Sequence, residues 1–181
     1  MKAREYDPLR LDLAALAAEG ETLSGAWPLD ELPRLVASTH PEARPAGGET
    51  LAWSARAERR ARRAAEPELW LHLALDTRVR LECQRCLQPV ETPLHIERWL
   101  RFVPGEEQAA ALDAESEEDV LALPRWLDLR ELAEDELLLE LPLVPRHELC
   151  PVELPTSAGE PEPERENPFA ALQALKRGGG H

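Results

Sequence analysis

Two pairs of residues in this sequence have the types and spacing that hold a metal. Cys83 and Cys86 bracket two residues in "LECQRCLQPVE", and His147 and Cys150 bracket two more in "RHELC". Thiolate and imidazole are the ligands of tetrahedral zinc sites, and two of them at this spacing on a tight turn can aim at one ion. Sixty residues separate Cys86 from His147, so the fold itself must bring the pairs together. Two other readings use the same residues: a redox-active C-x-x-C, or thiols in a turn with His147 exposed beside Pro145. The redox reading needs the pair at a helix N-terminus, where the thiol pKa falls. Here the pair ends a strand-like run and is followed by Leu87, Gln88 and Pro89.

A second constellation is cationic. "RAERRARR" carries Arg56, Arg59, Arg60, Arg62 and Arg63 within eight residues. Arg78, Arg80, Arg85, Arg98 and Arg101 follow in the same stretch as Trp53, Trp70 and Trp99. Arginines on phosphates and tryptophans stacked on bases would make an RNA-contacting sheet face, with Arg56, Arg59, Arg60, Arg62, Arg63 and Arg85 as its candidates. The same pattern equally describes a solvated sheet face over core tryptophans. The chain as a whole is acidic, with a net charge of −14. Residues 51–104 carry +3, whereas residues 105–181 carry −13. Tight, non-specific nucleic-acid binders neutralise phosphates with clustered cations. This charge excludes that class and suits a basic protein partner, or RNA contact through one local patch.

Signatures of enzymes are missing. There is no G-x-x-x-x-G-K, G-x-G-x-x-G, H-E-x-x-H or G-x-S-x-G. The carboxylates fall in runs, as solvated surfaces do. Glu134, Asp135 and Glu136 are neighbours on an expected helix, so they point in different directions. His72 lies in a strand pattern and reads as structural. The expectation is a protein that is not an enzyme, that requires no cofactor, and for which zinc is a candidate.

The elements that must position these residues are legible in part. Residues 7–21 read as a short strand running into a helical turn that stops at Gly20. Residues 28–38 read as a short helix capped by Asp30, with Pro33 in its first turn. Residues 39–50 read as a Pro- and Gly-rich loop. Alternation then marks strands over 50–63, 68–84 and 89–104. Leu69, Leu71, Leu73 and Leu75 share one face, a turn is expected near Asp76-Thr77, and Val79 and Leu81 resume the pattern. The third run offers Leu94, Ile96 and a Trp99/Phe102 cluster. Residues 105–119 read as an acidic loop and 119–123 as an edge strand. Residues 127–142 give the strongest helix signal: Asp128 and Glu131 form a capping box, Leu129, Leu132, Glu136 and Leu139 form a stripe that Leu137, Leu138 and Leu141 widen, and Pro142 ends it. The fold class is α+β, an antiparallel β-sheet packed by this main helix.

The 181 residues suit one domain over 1–150. A Pro- and Glu-rich disordered acidic linker then spans 151–166, a short C-terminal helix 167–177, and a flexible tail 178–181. In the C-terminal helix Pro168 sits in the first turn, and Phe169, Leu172 and Leu175 share a side. With Asn167 they are the candidates for docking into a partner's groove. No stretch approaches the apolar length of a membrane span. The N-terminus lacks an apolar signal core, and three cysteines suit a reducing compartment. The expected location is the cytoplasm.

"LECQRCLQPVE", "LDLRELAEDELLLELPLVPRHELC" and "NPFAALQALK" occur in that order. This succession resembles the YceD family, the large ribosomal RNA subunit accumulation proteins. Its pattern is a sheet ending in C-x-R-C, an acidic loop, an L-D-L helix with E-D-E, an L-P-x-x-P-x-H segment and a final N-P-F helix. The resemblance covers roughly residues 70–177. It falls on Cys83, Arg85, Cys86, Asp128, Glu134, Asp135, Glu136, Leu141, Pro142, Pro145, His147, Cys150, Asn167, Pro168 and Phe169. It implies a bacterial cytosolic factor for synthesis, processing or stability of 23S ribosomal RNA, with no established catalytic activity. On that implication the partner is a ribosomal or rRNA-processing protein, or alternatively the rRNA itself through the arginine-rich sheet face.

Overall fold

The computed structural model describes residues 6–45, 47–63 and 65–152. By its contacts the chain divides into Met1–Leu149 and Cys150–His181. The expected linker beyond Val152, the helix 167–177 with Asn167, Pro168, Phe169, Leu172 and Leu175, and the tail 178–181 lie outside the described residues.

The architecture is α+β. In chain order the elements are α1 (Leu13–Glu19), β1 (Thr22–Pro28), α2 (Pro33–Ala37), β2 (Thr50–Arg62), β3 (Ala65–Glu82), β4 (Pro89–Val103), α3 (Glu106–Asp113), β5 (Val120–Ala122) and α4 (Leu129–Glu140). Short 3-10 turns occupy Leu29–Glu31 and Pro41–Ala43. The strands lie side by side in the order in which they occur in the chain. All neighbours are antiparallel except β5, which runs parallel to β4. One core joins Leu13 and Leu16 of α1, Leu35 of α2, and Leu129 and Leu137 of α4 to the leucines of the sheet. Among the described residues no helix is long and apolar enough to cross a membrane.

β3 runs unbroken through Asp76 and Thr77, where a turn was expected. The hydropathy dips there, but the parity does not change. Residues 69, 71, 73, 75, 77, 79 and 81 are all buried. Thr77 fills its place because its hydroxyl donates to the carbonyl of Thr50 at 3.0 Å, so no polar group is stranded. Asp76 falls on the open face, 3.3 Å from His95 on β4. Parity also separates Trp99 from Phe102, since an odd spacing puts them on opposite faces. Phe102 is buried opposite Leu69, and Trp99 pairs with His72 on the other face.

Other expectations needed correction for local reasons. β1 gave no alternation because only Trp27 of its seven residues is buried. The acidic stretch 105–119 is not all loop: "EEQAAALD" forms α3, with two glutamates in its first turn and alanines within. Both features favour helix. The strand expected before α1 reduces to one bridge, Leu11 with Leu127, while Asp12 caps α1 and Gly20 closes it in the left-handed region. In α2, Pro33 does hold the first turn, but Asp30 does not cap it. Glu134 of α4 does, by accepting the N–H groups of Arg34 and Leu35.

α4 begins at Asp128, whose carboxylate accepts the N–H groups of Arg130 and Glu131, and ends before Pro142. Its buried stripe is Leu129, Ala133, Glu134, Glu136 and Leu137. Leu139 lies outside it, 72% exposed. Two glutamates face inward because each finds a cation there: Arg34 for Glu134 and Arg98 for Glu136.

Candidate metal centre

The β3–β4 connection is built to turn two cysteines the same way. After Glu82 the strand ends. The N–H of Cys83 donates to the carbonyl of Gln88 at 3.0 Å, and the N–H of Leu87 donates to the carbonyl of Cys83 at 2.8 Å. Closing this turn places Leu87 at a φ of +59°, a region a branched side chain rarely enters. Cys83 is fully buried, and Cys86 is half-buried. The turn leads into β4, not into a helix.

The segment leaving α4 returns to this turn. Gln84 N–H donates to the carbonyl of Pro145 at 2.9 Å. The Arg85 guanidinium donates to the carbonyls of His147 and Glu148, at 3.1 and 3.3 Å. Arg85 therefore ties the second half of the constellation to the first. His147 Nδ1 lies 3.5 Å from Cys86 Sγ, and its Nε2 lies 3.1 Å from the carbonyl of Pro89. Cys150 follows three residues on. The ligand atoms of Cys83, Cys86, His147 and Cys150 all lie within 4.8 Å of one another. This group is able to bind a metal.

Electrostatics prepare the first ligand. Burial pushes the Cys83 thiol up, but the backbone N–H groups of Arg85, His147 and Cys86 outweigh it and bring it down to about 5. N–H groups that converge on sulfur favour its anionic form, the form that binds metals.

His40 supports the turn from outside, and nothing in its sequence surroundings pointed to it. It is buried, and its N–H donates to the carbonyl of Arg80 on β3 at 2.7 Å. Its Nδ1 accepts the N–H of Glu42 at 3.2 Å, which leaves Nε2 to donate to the carbonyl of Leu87 at 3.1 Å. Two imidazoles thus hold the turn by its carbonyls, His40 at Leu87 and His147 at Pro89.

The arginines of the sheet are placed differently from a free cationic face. Arg56 and Arg60 both reach Glu58, at 3.2 and 2.6 Å. Arg62 and Arg101 both reach Glu68, at 3.2 and 2.9 Å. The Arg60 guanidinium lies over the rings of both Trp70 and Trp99, at 4.2 and 4.1 Å. Arg59 has the opposite parity on β2, and Arg63 lies just beyond the strand. Arg85 belongs to the metal-type group at the far end of β3. The six candidates are therefore not brought onto one surface.

The acidic triplet of α4 divides its work. Glu134 and Asp135 both pair with Arg34 of α2, and Glu136 reaches Arg98 of β4 at 3.4 Å. Asp119 and Glu140 complete the anionic surround of Arg98. Burial pushes the Glu136 carboxyl up against the pull of Arg98. These three carboxylates hold helices and sheet together.

A family described as large ribosomal RNA subunit accumulation protein YceD matches residues 71–176, from within β3 past the end of the described chain. A protein of Haemophilus influenzae named large ribosomal RNA subunit accumulation protein YceD is 38% identical over 105 residues, or 55% of this chain. The aligned region spans 60% of that relative's length. No solved structure matches. The matched stretch contains the cysteine turn, the triplet of α4 and the returning His147 and Cys150, and the chain belongs to the YceD family of large ribosomal RNA subunit accumulation proteins.

Proposed function

We propose that this protein supports the accumulation of 23S ribosomal RNA as a non-enzymatic factor of the bacterial cytoplasm, acting through contact with a ribosomal or rRNA-processing protein. Membership of the family carries the ribosomal part of this reading. One observation favours a protein partner over RNA: the arginines of the sheet face are already engaged from within, two on Glu58 and two on Glu68. Arg56, Arg60, Arg62 and Arg101 each stand within 3.2 Å of a glutamate, and Arg60 covers the tryptophan faces on which bases would stack. Freeing those groups for RNA would cost the ion pairs and the stacking. The net charge of −14 repels RNA and attracts basic ribosomal proteins. Asn167, Pro168, Phe169, Leu172 and Leu175 supply the docking segment in this reading. A metal held by Cys83, Cys86, His147 and Cys150 serves it as a staple, because three thiolates and one imidazole close all four positions of a tetrahedral ion.

Co-purification of the full chain, with and without residues 165–181, tests the reading. A basic ribosomal or processing protein should be retained by the full chain and lost on truncation. Direct, salt-sensitive binding of rRNA fragments, lost when Arg59, Arg60, Arg62 and Arg63 are reversed to Glu, would favour the RNA alternative instead.

A further inference from the structure

We propose that the cleft at the end of the sheet opposite the cysteine turn binds a nucleoside monophosphate, with Arg59, Arg62 and Arg101 on its phosphate. The cleft holds about 280 Å3 and is lined from the end of β2, the start of β3, the end of β4, α1 and α3. This inference goes beyond the ribosomal reading and does not depend on it.

The cations come first. The buried stripe of β2 runs through Leu51, Trp53, Ala55 and Ala57, and the next place of the same parity is Arg59, opposite Leu69 of β3. Among the described residues the Arg59 guanidinium has no anionic partner. Arg62 and Arg101 both reach one carboxylate oxygen of Glu68, at 3.2 and 2.9 Å, through one nitrogen each. A guanidinium has five N–H groups, so both keep donors to spare. Arg101 shows that the set is incomplete. Its side chain is 14% exposed, and its Nε is buried with no hydrogen-bond partner among the described residues. A buried donor left unmade is costly, and an acceptor in the cleft would satisfy it. Glu66 and Glu68 also line the cleft, so three cations face two carboxylates. The excess is positive in a chain whose net charge is −14, and one bound anion offsets it.

The shape of the anion follows from its donors. Arginine forks suit carboxylate and phosphate alike. Three of them, carried on two strands with the Gln108 amide of α3 beside them, match the three terminal oxygens of a phosphate monoester better than the two of a carboxylate. The phosphate must also carry something. Pockets for small ligands start at about 300 Å3, so this cleft has room beyond a bare oxyanion. Its remaining wall is apolar, with Ala14, Leu69, Phe102 and Leu123. A planar base can lie on such a wall, whereas the hydroxyls of a polyol would be left without partners there.

Calorimetric titration of the full chain at low ionic strength tests the site. The probes are the ribonucleoside 5′-monophosphates, the matching nucleosides, inorganic phosphate, acetate and a 5′-phosphorylated oligoribonucleotide. At least one monophosphate should bind, inorganic phosphate more weakly, and nucleosides and acetate not at all. Arg59→Gln and Arg101→Gln should each weaken the monophosphate by about tenfold or more. Arg78→Gln, on an exposed ion pair at the other end of the sheet, should leave it unchanged. Arg59 is exposed, so its variant reports on binding even if Arg101→Gln fails to fold. No binding by any monophosphate would overturn the proposal, as would equal binding by native protein and Arg59→Gln. Acetate binding as tightly as phosphate would overturn the phosphate assignment, and inorganic phosphate binding as tightly as every monophosphate would overturn the nucleoside. Binding of the oligonucleotide alone would make the site one for an RNA end and overturn the small ligand.

Discussion

Glu134 on α4 and Arg34 on α2 meet twice, though they stand a hundred residues apart: one carboxylate oxygen accepts the Arg34 backbone N–H at 2.7 Å, and the other accepts its Nε at 2.9 Å. The first oxygen also accepts the N–H of Leu35 at 3.1 Å. A buried side chain from one helix thus caps the start of another. Glu134→Ala should cost about 1–2 kcal/mol, the worth of a cap, and Glu134→Gln should cost less because one acceptor remains. Urea denaturation of both variants checks the order. Equal losses would show that charge, not capping, sets the effect.

Glu136 should make stability depend on pH. Burial raises its folded pKa above the ordinary 4.5. A carboxyl raised in the folded state favours folding while protonated, below the unfolded value. That advantage is lost as pH rises through the folded value. The stability of the native chain, taken relative to Glu136→Gln, should therefore decline as pH climbs from about 4.5 and level off above the raised pKa. A difference that grew with pH would mean that Arg98 dominates over burial.

Thr77 holds a core position by one hydrogen bond. Thr77→Val keeps its shape but withdraws the donor from the Thr50 carbonyl. The expected loss is about 1 kcal/mol, read from the denaturation midpoint at unchanged slope.

Gly25 on β1 leaves room for a ring. A Cβ there would come within 2.9 Å of Trp53, which stacks on Trp27 with centroids 4.6 Å apart. Gly25→Ala should destabilise the fold by about 1–3 kcal/mol and change tryptophan emission as Trp53 shifts. Unchanged emission together with unchanged stability would show that the edge strand yields instead.

Leu87 carries strain at the turn. Left-handed backbone costs a residue with a side chain about 1–2 kcal/mol, and glycine's extra freedom when unfolded returns about 0.5–1 kcal/mol of that. Leu87→Gly should stabilise the protein slightly, whereas Leu87→Ala should not. The comparison of the two melting temperatures isolates the backbone contribution.

The readable parts of this protein were those governed by short-range rules. Parity along β2, β3 and β4 identified the leucines of the core, and the C-x-x-C and H-x-x-C spacings marked four residues that the fold brings together. The same parity rule correctly applied would have removed the turn at Asp76-Thr77, which hydropathy alone suggested. It also puts Arg56, Glu58 and Arg60 on one face, so their pairing was legible too. Long-range partners were not. The cap that Glu134 gives α2 and the support that His40 gives Leu87 each depend on where distant segments land, and no local pattern encodes them. β1 was missed because an edge strand with one buried residue carries almost no signal.

The strands are laid down in the order in which they are made, and this bears on synthesis. A nascent chain can pair β1 to β4 by adding each strand to its predecessor. The thiols of Cys83 and Cys86 then exist before their counterparts do, with sixty residues still to come before His147. At about 5–20 residues per second, that interval is roughly 3–12 s. The clasp between the turn and the segment after α4 is therefore the last part of the described fold able to close, and its closure marks a chain whose sheet and main helix have already left the ribosome.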